Sequence, residues 1–189
     1  MIGKEEFIAL YQQKITRRGA DRLLEWMEKA DFFTAPASTR FHLACAGGLM
    51  QHSVHVYQRL EKLCAAEYPD QCPYSEETIA VTGLLHDLCK VNFYKEDTRN
   101  VKENGVWVQK PFYTVDEQIP YGHGEKSVFI IERFVRLSLE EAIAIRFHMG
   151  GFDARPGDNS VSAAFEKVPL ALLLHLADLQ ASYLDEARE

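Results

Sequence analysis

Apolar residues recur at helical spacing along most of the chain. Phe7, Leu10, Tyr11 and Ile15 mark a first amphipathic helix, and Leu23, Leu24, Met27 and Ala30 a second, with the turn between them at Arg18-Gly19. Residues 31–41 carry Pro36 and several small hydroxyl side chains, which predicts an irregular connection leading to Gly47-Gly48. The spacing then predicts a long helix from about Leu49 to Glu67, stopped before Pro69 because the residue before a proline disfavours helical backbone. Ser75 is expected to cap the next helix, which continues through Ile79, Val81, Leu84 and Leu85 to the region of Lys90.

Between Thr98 and Val115 the period changes to two, and Val, Trp, Phe and Tyr replace Leu and Ala. With Asn104-Gly105 at its centre, this segment predicts a β-hairpin with a tight type I′ turn. Helix resumes after Gly122. Ser138 and Glu141 form a capping box for a helix carrying His148, and Pro169 suits the first turn of one carrying His175 and Asp178. With no repeat, low-complexity tract or linker, the expectation is one all-α domain over residues 1–189, its core spanning about 34–185, with a β-hairpin insertion at about 98–115.

Composition narrows the function. The 189 residues carry 21 Lys+Arg against 28 Asp+Glu, a formal charge of −7, and 47% are hydrophobic. The acidic balance gives no global attraction for a polyanion, which argues against a duplex-DNA partner and favours small substrates. A domain of this size buries about 70% of the surface its unfolded chain exposes, so a metal found here would serve function rather than folding. The first segment has charges at Lys4, Glu5 and Glu6 with no apolar stretch after them, and the longest apolar run, around His175, falls short of the ~20 residues of a membrane span. A cytoplasmic protein with no membrane partner is expected. Cys45, Cys64, Cys72 and Cys89 lack CxxC spacing and read as reduced thiols.

The candidate chemistry lies in the histidines. His52, His86, His123, His148 and His175 sit in strongly patterned segments, and Asp87 follows His86 on an otherwise apolar helix, where an unpaired carboxylate is costly to bury. Imidazole and carboxylate together suit Zn, Mn, Fe or Ni, and such groups on separate helices can converge in a bundle core.

In order, the segments GGLMQHS, LLHDLCK, GHGEKS, FHMGG and LHLADLQA resemble the pattern of the HD-domain metal-dependent phosphohydrolases. The segment TAPASTRFHLACAGGLMQHS is also similar to the approach to the HD domain in bacterial 3′–5′ exoribonucleases, which usually carry an OB-fold that does not fit in this chain. The order resembles HD-GYP cyclic-dinucleotide phosphodiesterases and small dinucleoside polyphosphate hydrolases as well, without either subfamily's full set of distinguishing residues.

The resemblance implies a helical bundle in which His52, His86, Asp87 and Asp178 surround one divalent ion, while Asp87 bridges to a second held by His123 and His148. Asp87 and Lys90 are the implied catalytic residues. Lys90, at the lysine of the HD-x-x-K pattern and four residues after His86 on the expected helix, would face the phosphate. Arg40 and His42, in the approach loop, are expected to contact substrate. His175, on one helix face with Asp178, is expected to support a ligand rather than coordinate, and His55 to be a packing residue. Cys89 stands where a glycine is common in the HDxGK pattern and is not expected to bind metal, and Arg146 is expected to turn away from the site. Trp107, Tyr113 and Tyr121 offer flat faces for a nucleobase, the hairpin then acting as a lid; their alternative is packing onto the helices or onto a second copy in a homodimer.

The implied reaction is hydrolysis of a nucleotide phosphate ester or short phosphodiester, in a small nucleotide or short oligonucleotide, by a metal-activated hydroxide. Two other readings stand beside it: a nucleotide-binding signalling module without turnover, and exoribonuclease-like action on short RNA, which would require a basic groove.

Overall fold

A computed structural model describes residues 2–103, 105–153 and 157–186. It is a bundle of α-helices with one two-stranded sheet. The helices are α1 (Lys4–Lys14), α2 (Ala20–Lys29), α3 (Gly48–Glu67), α4 (Glu76–Leu85), α5 (His123–Glu132), α6 (Leu139–Phe147), α7 (Ser160–Lys167) and α8 (Pro169–Gln180). Strands β1 (Tyr94–Glu103) and β2 (Val106–Val115) pair antiparallel between α4 and α5, in register from Tyr94 opposite Val115 to Glu103 opposite Val106.

The expected caps are in place. Ser75 Oγ accepts the Thr78 N–H at 3.0 Å, and Ser138 and Glu141 close a reciprocal capping box, with bonds of 3.1 and 2.8 Å. Pro169 opens α8. The core is built from the periodic positions: Phe7, Leu23, Met27, Leu49, Leu60, Leu84, Leu85, Ile131, Ile145 and Leu174 have no solvent-accessible surface. Helix α7, which the sequence reading did not anticipate, buries only Ala164, so its apolar stripe is too thin to stand out.

Two expectations are corrected. The hairpin begins at Tyr94 rather than Thr98: Tyr94 to Asp97 carry no alternating pattern, but pairing with Phe112 to Val115 draws them into the ladder. Helix α4 ends at Leu85, with a 3₁₀ turn at Leu88–Lys90, so Lys90 and His86 do not share one helix. Leu84, Leu85 and Leu88 are all fully buried, so the hydrophobic pattern runs on through a break it cannot register. Beyond α8 the chain adds a π-helical turn, Ala181–Asp185, closed by the Glu186 N–H on the Ala181 carbonyl at 3.0 Å. The Asn104-Gly105 turn cannot be typed, because Asn104 lies outside the described residues.

Two glycines set the spacing of the helices. A Cβ on Gly83 of α4 would stand 2.6 Å from the Tyr57 Cα of α3, and one on Gly124 of α5 would stand 2.2 Å from the Arg146 carbonyl oxygen of α6. Backbone meets backbone at both crossings, as only glycine permits. The hairpin is tied at its root: the Tyr94 hydroxyl donates to the Ala37 carbonyl at 3.2 Å, and the buried Lys126 ammonium of α5 pairs with Glu117 at 2.7 Å and lies over the Phe93 ring.

Candidate metal centre

The helix ends create the site. His86 and His148 are the C-cap residues of α4 and α6, and each folds its ring back so that Nδ1–H donates to a carbonyl three residues earlier, Gly83 at 2.9 Å and Ile145 at 2.7 Å. Each ring thus satisfies a carbonyl that the helix end would leave without a partner. A carbonyl only accepts, so a proton is on Nδ1 and Nε2 is directed inward. Glu186 does the same for His52, taking its Nδ1–H at 3.0 Å.

The Nε2 atoms converge on Asp87, which leaves helical geometry at φ −106° and is almost fully buried. Its Oδ2 lies 3.4 Å from His52 Nε2 and 3.5 Å from His86 Nε2, and Asp178 Oδ1 lies 3.3 Å from His52 Nε2. Its other oxygen, Oδ1, lies 2.9 Å from His123 Nε2 and 3.4 Å from His148 Nε2. One carboxylate therefore faces two groups of imidazoles, one with each oxygen. All six residues expected as ligands meet here. The glycine crossings explain how: Gly83 seats the end of α4 against α3, bringing His86 beside His52, and Gly124 seats α5 against α6, bringing His123 beside His148.

The carboxylates and imidazoles of the centre shift one another strongly. Burial favours the neutral acid of Asp87, but the Lys90 ammonium, then His86, and the hydrogen bond from His123 hold its pKa well below the carboxylate range. Asp178 is likewise lowered against its burial, chiefly by His52. In return, burial of His52 is outweighed by its bonds to Asp178, Asp87 and Glu186, and its pKa rises well above the imidazole value. Desolvation would lower the half-buried His123, but Cys89 and the bond to Asp87 outweigh it and push it up to about 9. Buried carboxylates and imidazoles thus favour each other's charged forms. The Nε2 of His148, in a ring with no exposed surface, has no hydrogen-bond partner among the described residues. A buried polar atom left unsatisfied costs roughly 1–3 kcal/mol, and a divalent ion on Nε2 relieves that cost. The donor set of imidazole nitrogens and carboxylate oxygens fits such an ion.

The remaining expected residues are distributed around this centre. Lys90, buried, reaches Asp87 Oδ2 at 2.7 Å from the 3₁₀ turn. A cleft of about 740 Å³ opens over the centre; Lys90, His42, His123, His175 and Asp178 line it, with Phe41, Phe152 and Tyr183. The His42 ring packs tilted against His52 with ring centroids 4.7 Å apart, and burial, then the charges of His52 and Lys90, push its pKa down to about 4. The His175 Nδ1–H donates to the His148 carbonyl at 2.6 Å, so its support acts through a ligand's backbone. Arg40 is exposed, its guanidinium 5.2 Å from the centre of the Phe41 ring, and is not among the described residues lining the cleft. Trp107, Tyr113 and Tyr121 are not among them either: Trp107 is 67% exposed, Tyr113 is half-buried and Tyr121 packs on Phe129. Arg146 pairs with Glu125 and Asp153.

Sequence reasoning missed Glu186 and assigned His55 to packing. Both His52 and His55 give an Nδ1–H to the Glu186 carboxylate, at 3.0 and 2.7 Å, and its pKa is held down to about 2 by these bonds against its burial. The signal was slight: His52 and His55 share a helix face, but Glu186 stands in a polar C-terminal segment with no motif around it.

Among the described residues no single helix is long and apolar enough to cross a membrane. No curated protein and no solved structure matches the chain. The family model of the HD domain does match, over residues 49–181, a span that contains all six converging histidines and aspartates. The chain therefore belongs to the HD-domain family of metal-dependent phosphohydrolases, whose members bind divalent metals.

Proposed function

We propose that the protein hydrolyses a phosphate ester of a nucleotide or a short phosphodiester in the cleft above Asp87. The observation that carries this reading is the division of Asp87, whose two oxygens each face a separate group of Nε2 atoms. His52, His86 and Asp178 would hold one ion with Oδ2, and His123 and His148 a second with Oδ1. When bound, divalent ions of the Mn, Fe, Ni or Zn class would supply Lewis acidity to the phosphoryl oxygens and acidity to the attacking water.

The chain's own groups do the rest. Burial disfavours the Lys90 ammonium, but Asp87 outweighs it and keeps the group protonated, so a fixed positive charge faces the cleft where phosphoryl charge develops. His42, neutral at pH 7, adds a polar ring edge without repelling the centre. Phe41, Phe152 and Tyr183 are exposed at the cleft and offer flat faces for a base.

The test is metal analysis of anaerobically purified protein, followed by a panel of an aryl phosphate monoester, an aryl diester, mononucleotides and short oligonucleotides. Chelator-sensitive turnover, with or without free phosphate, supports the proposal and separates monoesterase from diesterase. Bound metal with no turnover of any member overturns it in favour of a nucleotide-binding module.

A further inference from the structure

Cys89 is almost fully buried within the metal centre, and none of the roles above uses it. Its backbone N–H donates to the Ser127 hydroxyl of α5 at 3.0 Å, which pins the 3₁₀ turn against the helix that begins with His123. The sulfur then lies 3.4 Å from both ring nitrogens of His123 and 3.9 Å from Asp87 Oδ1, while His123 Nε2 is 2.9 Å from that same oxygen. Ligands held about 2.0–2.3 Å from one tetrahedral ion stand roughly 3.3–3.8 Å apart, so the sulfur–nitrogen edge already has that length, the sulfur–oxygen edge is slightly longer, and the nitrogen–oxygen edge is closed to a hydrogen bond that an ion would replace. A second observation points to the same place. His148 Nε2, fully buried and without a partner among the described residues, lies 3.4 Å from Asp87 Oδ1 on the same side of the carboxylate.

We propose that Cys89 is a thiolate ligand of the ion held by Asp87, His123 and His148, and that it makes this half of the centre selective for thiophilic ions. The proposal rests on the binuclear reading above and adds a ligand to it. On binding, the S–H bond breaks, its proton passes to solvent, and the sulfur lone pair forms the bond to the ion; nothing is oxidised or reduced. A soft sulfur ligand favours Zn, Fe or Co over Mn or Mg, which carboxylate and imidazole alone accept more evenly.

The test loads the full chain with cobalt(II) and records metal content and near-ultraviolet absorption together. A sulfur-to-cobalt charge-transfer band in protein holding two cobalt ions supports the proposal. It should survive in the variant Cys45→Ser/Cys64→Ser/Cys72→Ser and vanish in both Cys89→Ser and Cys89→Ala. Competition between zinc and manganese gives a second readout. Cys89→Ser should lose zinc preference by at least the roughly 10–100-fold that changing a ligand's supporting partner costs in affinity. Two cobalt ions without the band, or a band that persists without Cys89, overturns the thiolate assignment and leaves the binuclear reading standing. Failure of the wild-type chain to take up cobalt, zinc or manganese overturns both.

Discussion

Glu186 holds His52 from behind: it takes the Nδ1–H at 3.0 Å while the Nε2 of the same ring looks into the centre toward Asp87 and Asp178. This arrangement of carboxylate, imidazole and metal site fixes both the tautomer and the orientation of the ring. Glu186→Gln should therefore weaken metal binding by about 10–100-fold with the helical fold retained. Chelator competition measures the affinity and circular dichroism the fold; unaltered affinity would reduce Glu186 to a structural anchor for the C-terminal turn.

Asp87 faces both groups of imidazoles, so Asp87→Ala should lose both ions. His123→Ala and His148→Ala should each lose the ion on the Oδ1 side first. Metal stoichiometry on purified variants decides between this and cooperative assembly, in which either histidine change empties the whole centre.

Metal uptake should depend on pH with a definite sign. His123 is raised to about 9, and His52 is raised as well, so at pH 7 an ion must displace protons and affinity should climb as pH rises through about 9. Titration calorimetry in buffers of different ionisation enthalpy should show proton release at pH 7 that becomes smaller above about pH 9 as His123 loses its proton beforehand. Stability of the metal-free chain runs the other way. A raised imidazole contributes fully below its unfolded value near 6.5 and loses that contribution as pH rises through about 9, so thermal melts in chelator should weaken across that window.

Lys90→Ala should leave metal content near wild type and reduce turnover, because the ammonium meets developing phosphoryl charge rather than holding an ion. Single-turnover rates with an aryl phosphate give the comparison. An unchanged rate would confine Lys90 to its ion pair with Asp87.

Base stacking contributes about 1–3 kcal/mol per base in single-strand binders. Phe41→Ala and Tyr183→Ala should therefore weaken nucleotide binding while sparing a small aryl phosphate, and Trp107→Ala should change neither. If the Trp107 change is the damaging one, the hairpin closes over the cleft as a lid. Shortening the hairpin to a Gly-Ser turn provides a further check, since loss of folding or of an oligomer would make it structural.

Motif spacing in the sequence was enough to anticipate the family and the bundle. It was enough too for the caps at Ser75 and Ser138 and the six residues that meet at the centre. What it could not supply is direction. The break after Leu85 is hidden by uninterrupted apolar residues, yet it decides where Asp87 and Lys90 point. Glu186 is brought under His52 by a π-helical turn, for which residue identity gives no periodic signal. The hairpin aromatics were attractive by composition, but only the fold shows that the cleft takes its flat faces from Phe41, Phe152 and Tyr183.

The backbone contacts at Gly83 and Gly124 have a consequence for how this protein tolerates change. Side-chain packing relaxes by rotamer shifts when a core residue is exchanged, whereas two peptide backbones in contact have nothing to rearrange. The openings between His52 and His86, and between His123 and His148, are therefore referenced to main-chain atoms and not to the surrounding leucines and isoleucines. Substitutions that keep core volume can accumulate along α3, α4, α5 and α6 and alter stability without resizing the seat for an ion. A single methyl at either glycine would reset it, so mutational robustness and metal choice are carried by different residues in this fold.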